Sequence, residues 1–320
     1  MENVSIVFNN HNFVLLGLKE MEPLRYFYSV ITLIIYLSTI SLCTLIVYVV
    51  RTEQSLHEPM YIFICGLVGN IIIASSSVLP KLAIDLLSGC TTISLSVCLI
   101  QSFCIQICAF VEVLIFTIMA FDRYLAVGFP LRYHSLMTNK MAILSLATIW
   151  SVILISVFVA IMLVVRLTLC DNILNNAFCE TLSLVRLACD SIVIYYTYGT
   201  FMSLLFYIGS IMIVMYCYLR TFLICLKISM EASQKAIHTL VTHIITYTTF
   251  MAGSLFLNLR YKLNGGSLPI VMHTVISVGC LLIPVTLNPV IYGVRTEALR
   301  MKMIHTLKEI IHEQTLGKHK

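Results

Sequence analysis

Charge is what this chain has least of. Only 11% of its 320 residues are Asp, Glu, Lys or Arg, while 59% are hydrophobic; a soluble domain carries roughly 25% charge. A water-soluble globule of this size cannot hide that much apolar surface, because its exterior must stay polar. The solvent is therefore lipid for most of the chain. No basic run of the kind that grips nucleic acid occurs, and the net charge of +5 reads as an orientation signal instead. No Gly-, Ser- or Pro-rich linker separates a second domain. No internal repeat or matched pair of broken segments is visible, which argues against a transporter. No HExxH or CxxC motif and no histidine cluster appear, so neither an intramembrane enzyme nor a zinc site is favoured. A basic segment followed directly by a short apolar core is also missing at the start, so the first helix is expected to be its own signal anchor.

What is present is long runs without charge: Tyr26–Val50, Pro59–Pro80, Leu86–Phe110 (reaching Phe121 past one interior Glu112), Met141–Val165, Ser191–Leu219, Ala236–Leu259 and Leu263–Val294. Each supplies the ~20 apolar residues that cross ~30 Å of hydrocarbon as a helix. None alternates as a barrel strand would. The expected fold is an all-α membrane protein, a seven-transmembrane helix bundle (residues 26–294). An N-terminal tail (1–25) precedes it, and a short amphipathic cytoplasmic helix with its tail (295–320) follows.

Seven spans put the termini on opposite sides. Arg51, Arg123, Arg132, Lys140, Arg220, Lys227, Lys235 and the six Lys/Arg after Val294 share one side, against seven on the other. The richer side is expected to be cytoplasmic, so the N-terminus lies outside, in a multi-pass plasma-membrane protein. Asn3-Val4-Ser5 is a glycosylation sequon on that outer side. Leu299, Met301, Met303, Ile304, Leu307 and Ile310–Ile311 give the tail an apolar face suited to the inner leaflet of the bilayer.

Twelve cysteines divide by location. Cys90, Cys98, Cys170, Cys179 and Cys189 fall outside, where the secretory route is oxidising; the other seven lie in or at the ends of helices. Spacing leaves the pairing open, but it favours one bridge from the long outer loop to helix three and another within the loop. Glu112 is the one acid deep in a span. It is either a hydrogen-bonded staple or a polar centre whose state differs between two conformations. Asp122-Arg123-Tyr124 stands at the cytoplasmic end of helix three, where an arginine with two alternative partners suits a two-state switch.

The stretch MAFDRYLAVGFPLRYHSLMTNK (Met119–Lys140) resembles the signature of vertebrate odorant receptors, within the rhodopsin-like G-protein-coupled receptors. LHEPMY (Leu56–Tyr61), LPK (Leu79–Lys81), KAIHTLVTH (Lys235–His243), PVTLNPVIYGVR (Pro284–Arg295) and the FCE and RLAC segments of the outer loop follow in the family's order. Several stretches look more like the fish or water-soluble-odorant branch. The chain departs from the family at Leu42-Cys43, where a Gly-Asn pair is usual, and at Met251 and Leu240. The acid of helix two falls at Ile71, beside Asn70. Without that acid Glu112 is at most a weak sodium contact, and no other metal or cofactor is implied.

The resemblance implies an odorant receptor and not an enzyme. It would bind a small molecule in the outer half of the bundle and activate a heterotrimeric G protein of the stimulatory, olfactory type, raising cyclic AMP. The alternative is a receptor of the same fold with a non-olfactory chemosensory role. By the same resemblance Cys98 pairs with Cys179 and Cys170 with Cys189, leaving Cys90 free. The cytoplasmic switch would use Asp122, Arg123, Tyr124, Tyr218, Asn288, Pro289 and Tyr292. Ligand contacts fall to Ile105, Gln106, Ala109, Phe110, Met202, Phe206, Ser254 and Asn258. Lys262 aligns with a basic residue that holds the carboxylate of acidic odorants.

Overall fold

The computed structural model describes residues 12–227, 229–263 and 270–317, apart from the side chains at 231–233, 235, 236, 238, 239, 258–263, 271, 273, 295 and 310–317. Among these residues seven helices are long and apolar enough to cross a bilayer. They are α1 (Arg25–Thr52), α2 (Pro59–Ser88), α3 (Leu95–Gly128), α4 (Asn139–Val165), α5 (Val193–Cys225), α6 (Met230–Leu263) and α7 (Ile270–Arg295); α8 (Glu297–Gly317) follows. Helix α3 packs against α2, α4, α5 and α6, while α7 closes the bundle against α1 and α6. The outward faces stay apolar, as at Ile155, which is 68% exposed.

Lipid offers the backbone no hydrogen-bond partner, so a spanning segment must be helical. The same pressure acts on hydroxyls. Ser75 donates to the Ile71 carbonyl, Thr148 to Leu144, Ser156 to Val152 and Thr221 to Cys217, each four residues back. A hydroxyl bonded to its own helix costs little to bury, which is how so many Ser and Thr are carried into the spans.

The helix ends depart most from the charge-free runs between α2 and α3. Leu86–Ser88 complete α2, which runs on past Pro80 and pairs Lys81 with Asp85 at 2.7 Å. Gly89 then turns the chain at φ 72°, so α3 starts only at Leu95. An apolar run shows where charge is absent and not where a helix stops; the left-handed Gly89 marks the stop.

Residues 12–24 are not a plain tail. Strand β1 (Asn12–Leu15) lies between β2 (Thr92–Ser94), antiparallel, and β3 (Ile173–Leu174), parallel, with Phe13 opposite Ile93 and Val14 opposite Ile173. A short helix, Leu16–Glu20, follows and packs on α7. Phe13, Leu15 and Leu18 are buried in a cluster with Cys98, Leu174 and Cys179. Disulfides Cys98–Cys179 (Cα–Cα 5.2 Å) and Cys170–Cys189 (5.7 Å) anchor the long loop to α3 and close it on itself. Cys90 is a free, exposed thiol. At the other end of the bundle Lys302 of α8 pairs with Glu53 at 2.7 Å, and Leu299 and Met303 are buried.

Gly17 is where the N-terminal segment is pressed hardest onto the bundle. Its N–H donates to the Asn176 carbonyl at 3.2 Å. A Cβ there would stand 2.6 Å from Ala177 N, Asn176 C and Thr274 Oγ1. Gly17→Ala is therefore expected to cost about 1–3 kcal/mol through overpacking, lowering the Tm of the detergent-purified receptor. Gly199→Ala, which meets nothing within 4 Å inside α5, leaves Tm unchanged or raises it. Equal Tm values for the two variants would mean the segment does not press on the bundle.

Candidate functional site

Helix α3 carries candidate residues along its length, and the structure arranges them in three levels. The first lies toward the β-sheet end. Phe110 of α3 meets Phe206 and Tyr207 of α5, with ring centroids 5.4 and 5.5 Å apart. Tyr207 is hydrogen-bonded to Ser254 of α6. Gln106 accepts a hydrogen bond from Thr181 of the long loop at 3.3 Å, so the loop reaches the same level. Gln101 adds to that link, accepting from the Cys179 N–H at 2.8 Å and donating to the Ser77 carbonyl at 3.0 Å. Phe110, Met202 and Phe206 are buried, and Ile105, Gln106, Ala109 and Ser254 half-buried. The level is thus an aromatic wall with a few hydrogen-bonding groups, the chemistry of a small-molecule site. Tyr207 and Thr181 were not among the residues expected from sequence. Tyr207 had a signal in its place beside Phe206 on a helix; Thr181 had none, because a loop residue obeys no helical spacing. The side chains of Asn258 and Lys262, and all of Asn3, lie outside the described residues.

The second level is Glu112, buried between α2 and α7. Its Oε1 accepts from Asn288 Nδ2 at 2.7 Å and its Oε2 from Asn70 Nδ2 at 3.4 Å; Asn70 also donates to the Cys108 carbonyl at 3.0 Å. The residue of α2 that faces Glu112 is therefore Asn70, not Ile71, which is buried in the apolar core. Both carboxylate oxygens face amide hydrogens. Asn70 also keeps a buried Oδ1 with no hydrogen-bond partner among the described residues, so oxygen as well as amide hydrogen is present for the weak sodium contact expected of Glu112. Among the described residues no group of three or more His, Cys, Asp or Glu is placed to hold a metal.

The third level is the Arg123 end. Arg123 donates to Asp122 Oδ2 from Nε at 3.0 Å and from Nη2 at 2.5 Å, and the Tyr133 hydroxyl donates to Oδ1 at 2.7 Å. Tyr133 lies in the loop after α3. Burial, and then the Asp122 charge, push its phenol well above the usual tyrosine range, so it stays a donor. Tyr124 packs against Phe129 and Tyr216, with centroids 5.9 and 6.0 Å away. Tyr218 and Pro289 are buried. Tyr292 does not reach Arg123; its hydroxyl lies 3.2 Å from His243 Nδ1 and 3.3 Å from Thr246 Oγ1, both on α6. Among the described residues no hydrogen bond joins Arg123 to Tyr218 or Tyr292. His243, at the end of the KAIHTLVTH stretch, is thus a link between α6 and α7.

Comparison with known proteins bears on this arrangement. The profile of the olfactory receptor family matches residues 29–310. Human olfactory receptor 51E1 is 30% identical over 313 residues, covering 94% of both chains. Human olfactory receptor 52B6 is 32% identical over 89% of this chain and 85% of its own. Mouse olfactory receptor 51E2 is 28% identical over 94% of each.

The Glu112 cradle makes a stability prediction. Glu112→Leu strands two buried amides and is expected to cost about 2 kcal/mol or more, since each unsatisfied donor costs ~1–3 kcal/mol. Glu112→Gln keeps one acceptor and loses less. Thermal unfolding of the purified, ligand-free receptor reads both; Glu112→Leu as stable as the parent would mean the carboxylate does not hold α2, α3 and α7 together.

Proposed function

The chain belongs to the olfactory receptor family, and from that premise we propose that it takes up a small odorant at the Phe110–Phe206–Tyr207 level and passes the event to a stimulatory, olfactory-type G protein. As a family member it is a multi-pass membrane receptor and not an enzyme. In the proposed orientation the sheet, the disulfides and the sequon at Asn3 face outward from the plasma membrane, and the Arg123 end faces the cytoplasm. Domain limits follow from that: an extracellular segment (1–25), the receptor bundle (26–294) and a cytoplasmic helix with its tail (295–320). The orientation is supported by the Lys/Arg asymmetry and by disulfides at the end proposed to be extracellular.

The observation that carries the proposal is a single helix linking two ends of different chemistry. Phe110 and Arg123 both belong to α3, thirteen residues or about 20 Å apart. A ligand that favours one packing of the aromatic level shifts whatever the Arg123 end does in that packing. There, among the described residues, Arg123 hydrogen-bonds only to Asp122, and Asp122 accepts from Tyr133. Release of Arg123 toward Tyr218 and Tyr292 would open a cytoplasmic cavity for the G protein and raise cyclic AMP.

Two experiments test this. A cyclic-AMP reporter in cells, challenged with volatile and water-soluble compounds, is expected to find agonists; Arg123→Ala should reduce their response to background while surface expression and ligand binding persist. A mutant that signals at full strength removes Arg123 from the coupling role. We also assign Lys262 to ligand carboxylates. A charge-assisted bond contributes ~1.5–3 kcal/mol, so Lys262→Gln is expected to weaken a carboxylic acid agonist roughly tenfold or more and to leave its amide unchanged. Unchanged acid potency overturns that assignment.

A further inference from the structure

Between the aromatic level and the Arg123 end lies a contact that neither the motifs nor the family comparison singles out. The hydroxyls of Thr117 on α3 and Ser210 on α5 are 2.6 Å apart, and Ser210 is 3.0 Å from the Tyr247 hydroxyl on α6. All three residues are buried. We propose that Thr117, Ser210 and Tyr247 form a clasp that holds α3, α5 and α6 in the resting packing, so that opening it turns the receptor on without ligand. The functional half of this inference rests on the G-protein reading above; the structural half does not.

One arrangement uses every hydroxyl hydrogen of the clasp. In it Thr117 donates to the Val113 carbonyl at 2.8 Å and accepts from Ser210. Ser210 has a single hydrogen and gives it to Thr117. Tyr247 must then donate to Ser210. Every hydroxyl hydrogen is used, and none is shared with a second acceptor. Such a chain is intact or broken, with no partial form of similar energy, as a two-state element requires.

Its position couples it to both ends. Ser210 comes two residues after a π-helical segment of α5, Leu204–Ile208, which carries Phe206 and Tyr207. π-helical turns are rare and gather at functional sites. Returning that segment to α-helical winding would turn the rest of α5 by about 100°, one residue's rotation, and carry Ser210 away from its partners. A ligand pressing on Phe206 and Tyr207 acts on the segment itself. On α6 Tyr247 directly follows Thr246, a partner of Tyr292, and its ring meets Phe116 edge-on at 6.0 Å. On α3 Thr117 lies six residues, about 9 Å, from Arg123.

The variants separate a clasp from mere packing. Tyr247→Phe frees α6 and leaves nothing unpaired, since Ser210 still donates to Thr117. Ser210→Ala frees α5 and also strands the Tyr247 donor. Ser210→Thr keeps the hydroxyl. In cells expressing the full-length receptor with the olfactory-type G protein, ligand-independent cyclic AMP per surface receptor is expected to rise about threefold in Tyr247→Phe, the factor one side-chain hydrogen bond is worth in a membrane. Ser210→Ala should rise at least as far where it folds, and Ser210→Thr should match the parent. In parallel, the distance between labels at Arg132 and Lys235 is measured in nanodiscs for parent and Tyr247→Phe. A longer or broader distance in the variant supports the clasp whether or not the parent signals. If the parent raises no cyclic AMP with any compound, the G-protein reading fails and the distance alone decides. Parental distance in Tyr247→Phe, or parental basal signal from a parent that does respond to agonist, overturns the clasp.

Discussion

A polar group buried in hydrocarbon has no water to return to, and the structure follows from meeting that demand group by group. Backbone amides meet it by forming helices. Serines and threonines meet it by bonding to their own helix, as Ser75 and Thr148 do. Polar side chains that find partners on other helices then become the joints of the bundle. Glu112 joins α3 to α2 and α7 through two amides. Thr117 joins α3 to α5, and through Ser210 to α6. His243 and Thr246 join α6 to α7 through Tyr292. Each joint is short, buried and made of groups that would be costly to leave unpaired.

These joints explain why α3 is the natural axis. It is the spanning helix that packs against α2, α4, α5 and α6, and it bears Phe110, Glu112, Thr117 and Arg123 in sequence. Phe110 and Thr117, seven residues apart, share a face toward α5, while Glu112 lies on another face, toward α2 and α7. Movement of any one neighbour is felt on α3, and α3 itself has little room to move. The outer cover works on another principle. β1, the short helix Leu16–Glu20 and the long loop are held by backbone ladders and by Cys98–Cys179 and Cys170–Cys189, suited to a wet boundary where side-chain hydrogen bonds are weak.

How much of this was legible in the sequence depended on which physical signal each part left. The seven spans were legible because charge is expensive in lipid, so its absence marks them. Their ends were less so: nothing apolar distinguishes Leu86–Ser88 of α2 from the start of α3, and only Gly89 separates them. The strand at Asn12–Leu15 was invisible, because four residues gain their structure from pairing partners some 80 and 160 positions away. Glu112 was found as an isolated charge, but its partners were not: the family's acid position falls at Ile71, and it is the adjacent Asn70, about 100° further round α2, that bonds Glu112. Thr117 and Ser210 carried no pattern at all, and nothing in its motif marked His243 as a link to α7. Hydroxyls and a lone imidazole become joints only once the helices that hold them are side by side.

The strength of these joints sets what a small ligand can do. Moving a two-state equilibrium from 1:99 to 99:1 takes about 5.5 kcal/mol of differential affinity. An odorant with few atoms has little more than that to give, at ~0.3–1.5 kcal/mol per heavy atom in total and only part of it differential. A resting packing locked by buried ion pairs between helices, at ~3–5 kcal/mol to break each, would lie out of reach. Side-chain hydrogen bonds in membranes average only ~0.6 kcal/mol. The two hydrogen bonds of the proposed clasp and the two contacts at Tyr292 together come to about 2–3 kcal/mol on that scale, within what such a ligand can supply. The ion pair at the Arg123 end does not break this rule, because Asp122 and Arg123 are neighbours on one helix. It restrains a side chain and not the packing of two helices, and α5 and α6 can move before it has to open.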